Sequence, residues 1–231
     1  MADVSELWIN RSDYRKTKAV SAPQKRLEDG QVRVAIDKFA ITSNNVSYAV
    51  SGDAIGYWRF FPAEEGWGKV TVWGFGDVVE SRSPDIAVGE RLYGFFPMAN
   101  ETVLTVGSVK DDYFMDAAPH RADLAAVYNQ YRRLAGEPDA LRQMEDARSL
   151  YFPLFITSFV LYDYLTDNDY FGAGQVVIGS VSSKTGFGLA QFIHEDKKAG
   201  KRVIGLTSPG NKAFVESLGC CDDILLYGEE E

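Results

Sequence analysis

Residues 175–190, QVVIGSVSSKTGFGLA, constrain the fold more than any other stretch, because a short apolar run breaks into Gly, Ser and Thr and restarts as an amphipathic segment. That order reads as a strand, a tight turn and a helix. It then repeats. The helix runs to about Lys198, with Leu189, Phe192 and Ile193 on one side, and Gly200 stops it. RVIGLT is the next strand, residues 211–218 the next helix with Gly219 as its stop, and residues 223–227 a third apolar strand. A β-α-β-α-β run predicts parallel strands joined by helical crossovers, half of a doubly wound sheet. The sequence ends at Gly228-Glu229-Glu230-Glu231, where such sheets continue, so a truncated sheet with an uncovered apolar edge and marginal solubility is expected.

Upstream the pattern is β. LWINR, VRVAIDKFAI and KVTVWGFGDVVE alternate or are β-branched, and the Gly and aromatic residues of 67–80 suit the bent strand of a small barrel. Residues 41–61, ITSNNVSYAVSGDAIGYWRFF, read as a loop between these strands. Its Asn44, Asn45, Tyr48 and Tyr57 offer neutral donors and acceptors that would orient a carbonyl substrate, or equally cap turns and fill the core. Residues 123–133 and 140–150 read as helices broken at Glu137-Pro138, and residues 155–165 as a more apolar, buried helix. The expected organisation is therefore a barrel domain over 1–120, a helical bridge over 121–150 and a nucleotide-binding domain over 151–231.

Composition narrows the partners. Across 231 residues, 24 Lys and Arg stand against 33 Asp and Glu, and the net charge of -9 argues against a nucleic-acid or anionic-membrane partner. The greasy run at 151–165 is interrupted by Pro153 and Asp163 and falls short of the roughly 20 residues a bilayer span requires. The first twenty residues contain no signal-peptide core, and the only cysteines, Cys220 and Cys221, are adjacent, so a cytoplasmic protein without disulfides is expected. Two histidines, His120 and His194, and two cysteines cannot make a site at zinc spacing, so no metal is expected. His120 reads as a loop or capping residue, His194 as a helix-surface residue and the cysteines as packing.

The turn itself suits a phosphate, because small residues let backbone N–H groups and a helix N-terminus approach one closely. It is not a P-loop: Ile178 stands at the first glycine position, and Ser183 precedes Lys184-Thr185 where a glycine is required. A dinucleotide turn fits better. Gly186 and Gly188 leave room for close backbone approach and helix packing, while Ser182, Ser183 and Thr185 stand near glycine positions and offer hydroxyls to a pyrophosphate or to the helix cap. The role of Lys184 stays open. At the end of the next strand no Asp or Glu awaits a ribose 2′-hydroxyl. Thr207-Ser208-Pro209-Gly210-Asn211-Lys212 follows instead, and Ser208, Asn211 and Lys212 favour the 2′-phosphate of NADP over NAD.

These segments resemble the medium-chain dehydrogenase/reductase superfamily. VRVAIDKFAITSNNVSYAVSG is similar to its barrel strand and substrate loop, and GWGKVTVWGFGDVVESRSPDIAVGERLYGF to the segment with its GxVxxVG and VGDRV patterns. VIGLTSPGNKAFVESLGCCDDIL is similar to its second βαβ unit, and the SSKT turn and VYNQYRR resemble a group of domain-of-unknown-function proteins within it. The resemblance implies an α/β chain with an N-terminal GroES-like β-barrel followed by a partial Rossmann doubly wound parallel sheet. The family's zinc-ligand segments here read Thr42-Ser43-Asn44 and Gly66-Trp67-Gly68, which points to the zinc-free quinone and enoyl reductase branch. The function implied is NADP(H)-dependent hydride transfer to a conjugated carbonyl or quinone-like small molecule. Asn45 matches an Asp/Asn position of the substrate loop, Tyr48 and Tyr57 are the candidates where enoyl reductases use a tyrosine, and Thr157 aligns with a Thr facing the nicotinamide. A non-catalytic nucleotide-binding sensor or scaffold is the alternative, and either a monomer or a homodimer is compatible with the sequence.

Overall fold

The computed structural model describes residues 3–228, within two compact units, Met1–Leu150 and Tyr151–Glu231. Glu229–Glu231, where the expectation of a truncated sheet was placed, lie outside the described residues.

In the first unit β1 (Asp3–Asn10), β2 (Thr17–Pro23) and β4 (Trp67–Gly68) form a small antiparallel sheet in the order β2-β1-β4. Lys18, opposite Trp8, sets its ammonium 4.9 Å from the Trp8 ring centre and 4.3 Å from that of Trp67, a cation–π contact on two sides. The remaining strands, β3 (Gln31–Phe39), β5 (Thr71–Ser81), β6 (Arg91–Pro97), β7 (Glu101–Val109), β8 (Tyr113–Asp116) and β9 (Gln130–Arg133), close a barrel in the order β3-β5-β6-β9-β8-β7. Every pairing is antiparallel. Alternation decides what lies inside: Val32 and Val34 of β3, Val72 and Val78 of β5, Leu104 of β7 and Phe114 of β8 are buried together as one core.

Three sequence expectations are corrected in this unit. Residues 41–61 are largely helical, as α1 (Ser43–Val50), α2 (Gly52–Ile55) and a 3₁₀ turn at Tyr57–Arg59. The cause is a capping box: Thr42 Oγ1 accepts the Asn44 N–H at 3.3 Å, and Asn45 Oδ1 accepts the Thr42 N–H at 2.6 Å. Residues 123–133 are not a helix. They hold a 3₁₀ turn, Ala126–Tyr128, and then β9, which the barrel needs for closure. Tyr131 fixes that strand by stacking on Phe114, meeting Phe96 at a tilt and donating its hydroxyl to the Phe95 carbonyl at 2.7 Å. Tertiary pairing here overrides helix propensity. The predicted helix at 140–150 is split into α3 (Asp139–Arg142) and the start of α4 (Glu145–Asp167).

The second unit is a three-stranded parallel sheet, β10 (Gln175–Ile178), β11 (Arg202–Thr207) and β12 (Asp223–Leu226), in the order β10-β11-β12. The crossovers carry α5 (Lys184–Glu195) and α6 (Lys212–Leu218). Val181, Ala190, Ile193, Val203 and Val215 form its core with the buried Cys220. The expectation of a buried helix at 155–165 is corrected: Ile156, Phe159, Val160, Leu161 and Tyr164 of α4 are 40%, 50%, 57%, 41% and 56% exposed. Only the stripe through Ser158, Tyr162 and Leu165 is packed inward.

Candidate functional site

The turn between β10 and α5 is built by its own hydroxyls. Ser183 is the helix N-cap and accepts the Gly186 N–H on its Oγ at 3.0 Å, while Val181 donates its N–H to the Leu206 carbonyl at 3.1 Å. These bonds leave the N–H groups of Ser182, Lys184 and Thr185 with no protein acceptor among the described residues. They stand at the N-terminus of a twelve-residue helix, where the macrodipole favours an anion.

Gly186 and Gly188 are needed for close approach. A Cβ on Gly186 would fall 2.7 Å from the Ser180 carbonyl oxygen, and one on Gly188 would fall 2.7 Å from Ser158 Oγ. Ser158 is fully buried, and its hydroxyl lies 3.0 Å from the Leu154 carbonyl and 2.9 Å from that of Thr185, which joins α4 to the first turn of α5. Thr157, the residue expected here from the resemblance, is exposed and donates its hydroxyl back to the Pro153 carbonyl at 3.1 Å.

The two predicted cofactor segments meet. Asn211 donates its side-chain amide to Ser182 Oγ at 3.1 Å, which ties the end of β11 to the turn after β10. Ser208 sits at the cap position of the next 3₁₀ turn without a side-chain cap bond, and Lys212 reaches Glu216 only at 3.9 Å, both partners being about half exposed. Such an exposed pair holds a lysine weakly. Lys184 and Thr185 are partly buried at the helix start.

In the barrel unit, Asn45, Tyr48 and Tyr57 stand on the capped helical segment, but in different surroundings. Asn45 is buried and committed: besides its capping bond it donates its side-chain amide to the Thr71 carbonyl at 2.8 Å. Tyr48 and Tyr57 belong to an aromatic nest with Trp73, Phe95 and Tyr128, the Tyr48 and Tyr57 ring centres lying 4.7 Å apart. The Tyr57 and Tyr128 hydroxyls are 2.8 Å apart, so one phenolic proton is used between them and the other is left over. Trp73 donates its indole N–H to the Tyr48 hydroxyl at 3.3 Å, so the Tyr48 proton is also uncommitted.

Burial pushes the Tyr48 and Tyr128 phenols above their ordinary range, the Trp73 bond opposing this at Tyr48 and the Tyr57 bond adding to it at Tyr128. They are neutral hydrogen-bond donors. Tyr128 and Ser158 escaped the sequence reading. Tyr128 lies inside the VYNQYRR segment already singled out, whereas only the one-residue shift from Thr157 could have found Ser158.

The buried Arg121 anchors this segment by donating Nε–H to the Phe60 carbonyl at 3.1 Å and pairing with Asp116 at 3.1 Å. His120 Nε2 also lies 3.2 Å from that carbonyl. His194 is partly buried on α5. The adjacent Cys220 and Cys221 thiols hydrogen-bond and ionise one at a time, so that of Cys220 is drawn down and that of Cys221 pushed up. Among the described residues, no cluster of three or more His, Cys, Asp or Glu is placed to hold a metal, and no helix is long and apolar enough to cross a membrane.

Solved structures place this architecture in context. A quinone oxidoreductase from Coxiella burnetii superposes with a TM-score of 0.54 at 16% identity, covering 100% of this chain and 64% of its own. A mycobacterial protein in complex with NADPH gives 0.56 at 16% identity over 98% of this chain and 59% of its own. The JamJ enoyl reductase gives 0.54 at 14% identity over 97% and 60%. The chain shares its fold with these structures and spans about 60% of their length. A comparison with curated proteins returned no match. The model of a protein of unknown function, DUF2855, matches residues 39–231. With most of both units inside that match, the chain belongs to the DUF2855 family.

Proposed function

We propose that this chain carries the cofactor turn and the substrate-orienting side chains of an NADP(H)-dependent, zinc-independent reductase that acts on a conjugated carbonyl or quinone-like small molecule. The observation that carries the reading is the Asn211–Ser182 bond, which joins a carboxylate-free strand end to a turn with three uncommitted N–H groups. Those N–H groups and the hydroxyls of Ser182 and Thr185 would receive the pyrophosphate, while Ser208, Asn211 and Lys212 would receive the 2′-phosphate. Ser183 and Gly186 shape the helix start, Gly188 lets α5 approach α4, and Lys184 adds positive charge beside the turn.

The nicotinamide, when bound, would supply the hydride. The chain's own part is positional and electrostatic. Neutral phenols of Tyr48, and of Tyr57 paired with Tyr128, would donate to a carbonyl oxygen as negative charge gathers there. Asn45 would act by holding α1 in place. Three of the similar structures are a quinone oxidoreductase, an NADPH complex and an enoyl reductase, which supports the same reading. The setting proposed is the cytoplasm, without a nucleic-acid or membrane partner, as a monomer or homodimer.

Fluorescence titration with NADPH and NADH tests this. NADPH is expected to bind more tightly, and Lys212→Glu to weaken NADPH about tenfold while sparing NADH, consistent with loss of one charge-assisted contact. Absence of binding for both cofactors rejects the cofactor assignment, and equal loss for both rejects the 2′-phosphate role. A sensor is the second reading, favoured by the burial of Asn45, whose amide already makes two bonds to backbone groups. NADPH binding without consumption across a panel of quinones and enones would select it.

A further inference from the structure

Ser180 opens the turn at φ 49°, in the left-handed region that suits glycine and strains a residue with a Cβ. Something must hold it there. Its backbone N–H donates to the Tyr227 hydroxyl at 2.7 Å, and its own hydroxyl lies 3.0 Å from the same oxygen. Tyr227 directly follows β12 and donates its backbone N–H to the Thr207 carbonyl at 3.0 Å. The ends of the second and third strands thus meet the turn after the first. Thr207 is wholly buried beside this junction, its hydroxyl without a partner among the described residues.

We propose that Tyr227 is a positioning residue for the dinucleotide turn. Its phenol oxygen holds Ser180 in the left-handed conformation and thereby sets where the N–H groups of Ser182, Lys184 and Thr185 point. The proposal rests on the NADP(H) reading of that turn and goes beyond it by assigning a residue from the third strand. Tyr227 is 46% exposed, so packing covers only about half of it and leaves the position of its hydroxyl to the bonds with Ser180. The hydroxyl contributes the order. Glycine at 180 would enter the same conformation without a Cβ, so it should make the phenol dispensable.

The test uses the 231-residue chain as wild type, Tyr227→Phe, and Tyr227→Phe combined with Ser180→Gly. Amide hydrogen exchange over residues 176–187 without ligand is read alongside NADPH fluorescence titration and thermal melting. Tyr227→Phe is expected to speed exchange of the turn and raise the NADPH Kd about five- to tenfold, the weight of one net hydrogen bond, with a melting temperature within about 4 °C of wild type. The added Ser180→Gly is expected to restore most of the affinity. If Tyr227→Phe leaves exchange and affinity at wild-type values, or Ser180→Gly fails to rescue, the proposal is overturned while NADPH binding by the wild type still stands. If the wild type binds no NADPH, the cofactor reading falls and this proposal falls with it.

Discussion

Gly188 shows how narrowly one residue can be specified. A Cβ there would meet Ser158 at both Oγ, 2.7 Å, and Cβ, 3.1 Å, so α5 could not keep its distance from α4. Gly188→Ala, which would stabilise an unencumbered helix, is therefore expected to cost about 1–3 kcal/mol through overpacking, measured by urea unfolding. The need for small residues at 186 and 188 was legible in the sequence, because a strand-to-helix turn demands it. What fills the space was not. Thr157 and Ser158 are chemically alike at adjacent positions, and only the helix phase decides that Ser158 is buried and Thr157 is not. Likewise, Tyr48 and Tyr57 could be named from their loop, but the proton shared between Tyr57 and Tyr128 depends on a contact 71 residues apart.

Among the elements, the β-α-β-α-β order was legible because its apolar periods are long and punctuated by glycine. The segments that went unread were those whose fate depends on distant partners. Residues 130–133 become a strand because β6 and β8 flank them, and no local pattern announces that. The first turn of α4 is fixed by charge. Arg91 holds Glu145 in a forked pair at 2.7 and 2.6 Å and reaches Asp77 at 2.8 Å, and Lys38 lies 3.4 Å from Glu145. The Arg91 hydrogen bond holds the Glu145 carboxyl below its ordinary value. A carboxylate depressed in the folded state adds stability that is complete above the unfolded value and is lost as pH falls through the folded one, so the loss belongs below about pH 4. Glu145→Gln is expected to flatten this acid limb in melts of the chain recorded from pH 6 down to about pH 3, while lowering stability at neutral pH.

For the chain as a whole, the open surfaces set its behaviour in solution. Among the described residues β10 is paired on one side only, its Val177 is 58% exposed, and α4 presents Phe159 and Val160 to solvent. Unpaired edges and contiguous apolar faces drive association. Light scattering of the 231-residue chain at micromolar concentration is expected to show self-association, and Phe159→Lys with Val177→Lys to reduce it; a monodisperse wild-type monomer would contradict this. The barrel and the parallel sheet also differ in how they can be assembled. In the sheet, β10, β11 and β12 are neighbours in space in their sequence order, so each pairing closes over a single crossover helix. In the barrel, β6 must wait for β9, and β3 for β7, so the ring stays open until residues 130–133 have been made. The longer loop closures therefore fall on the N-terminal unit, whose closing strand the local sequence did not announce.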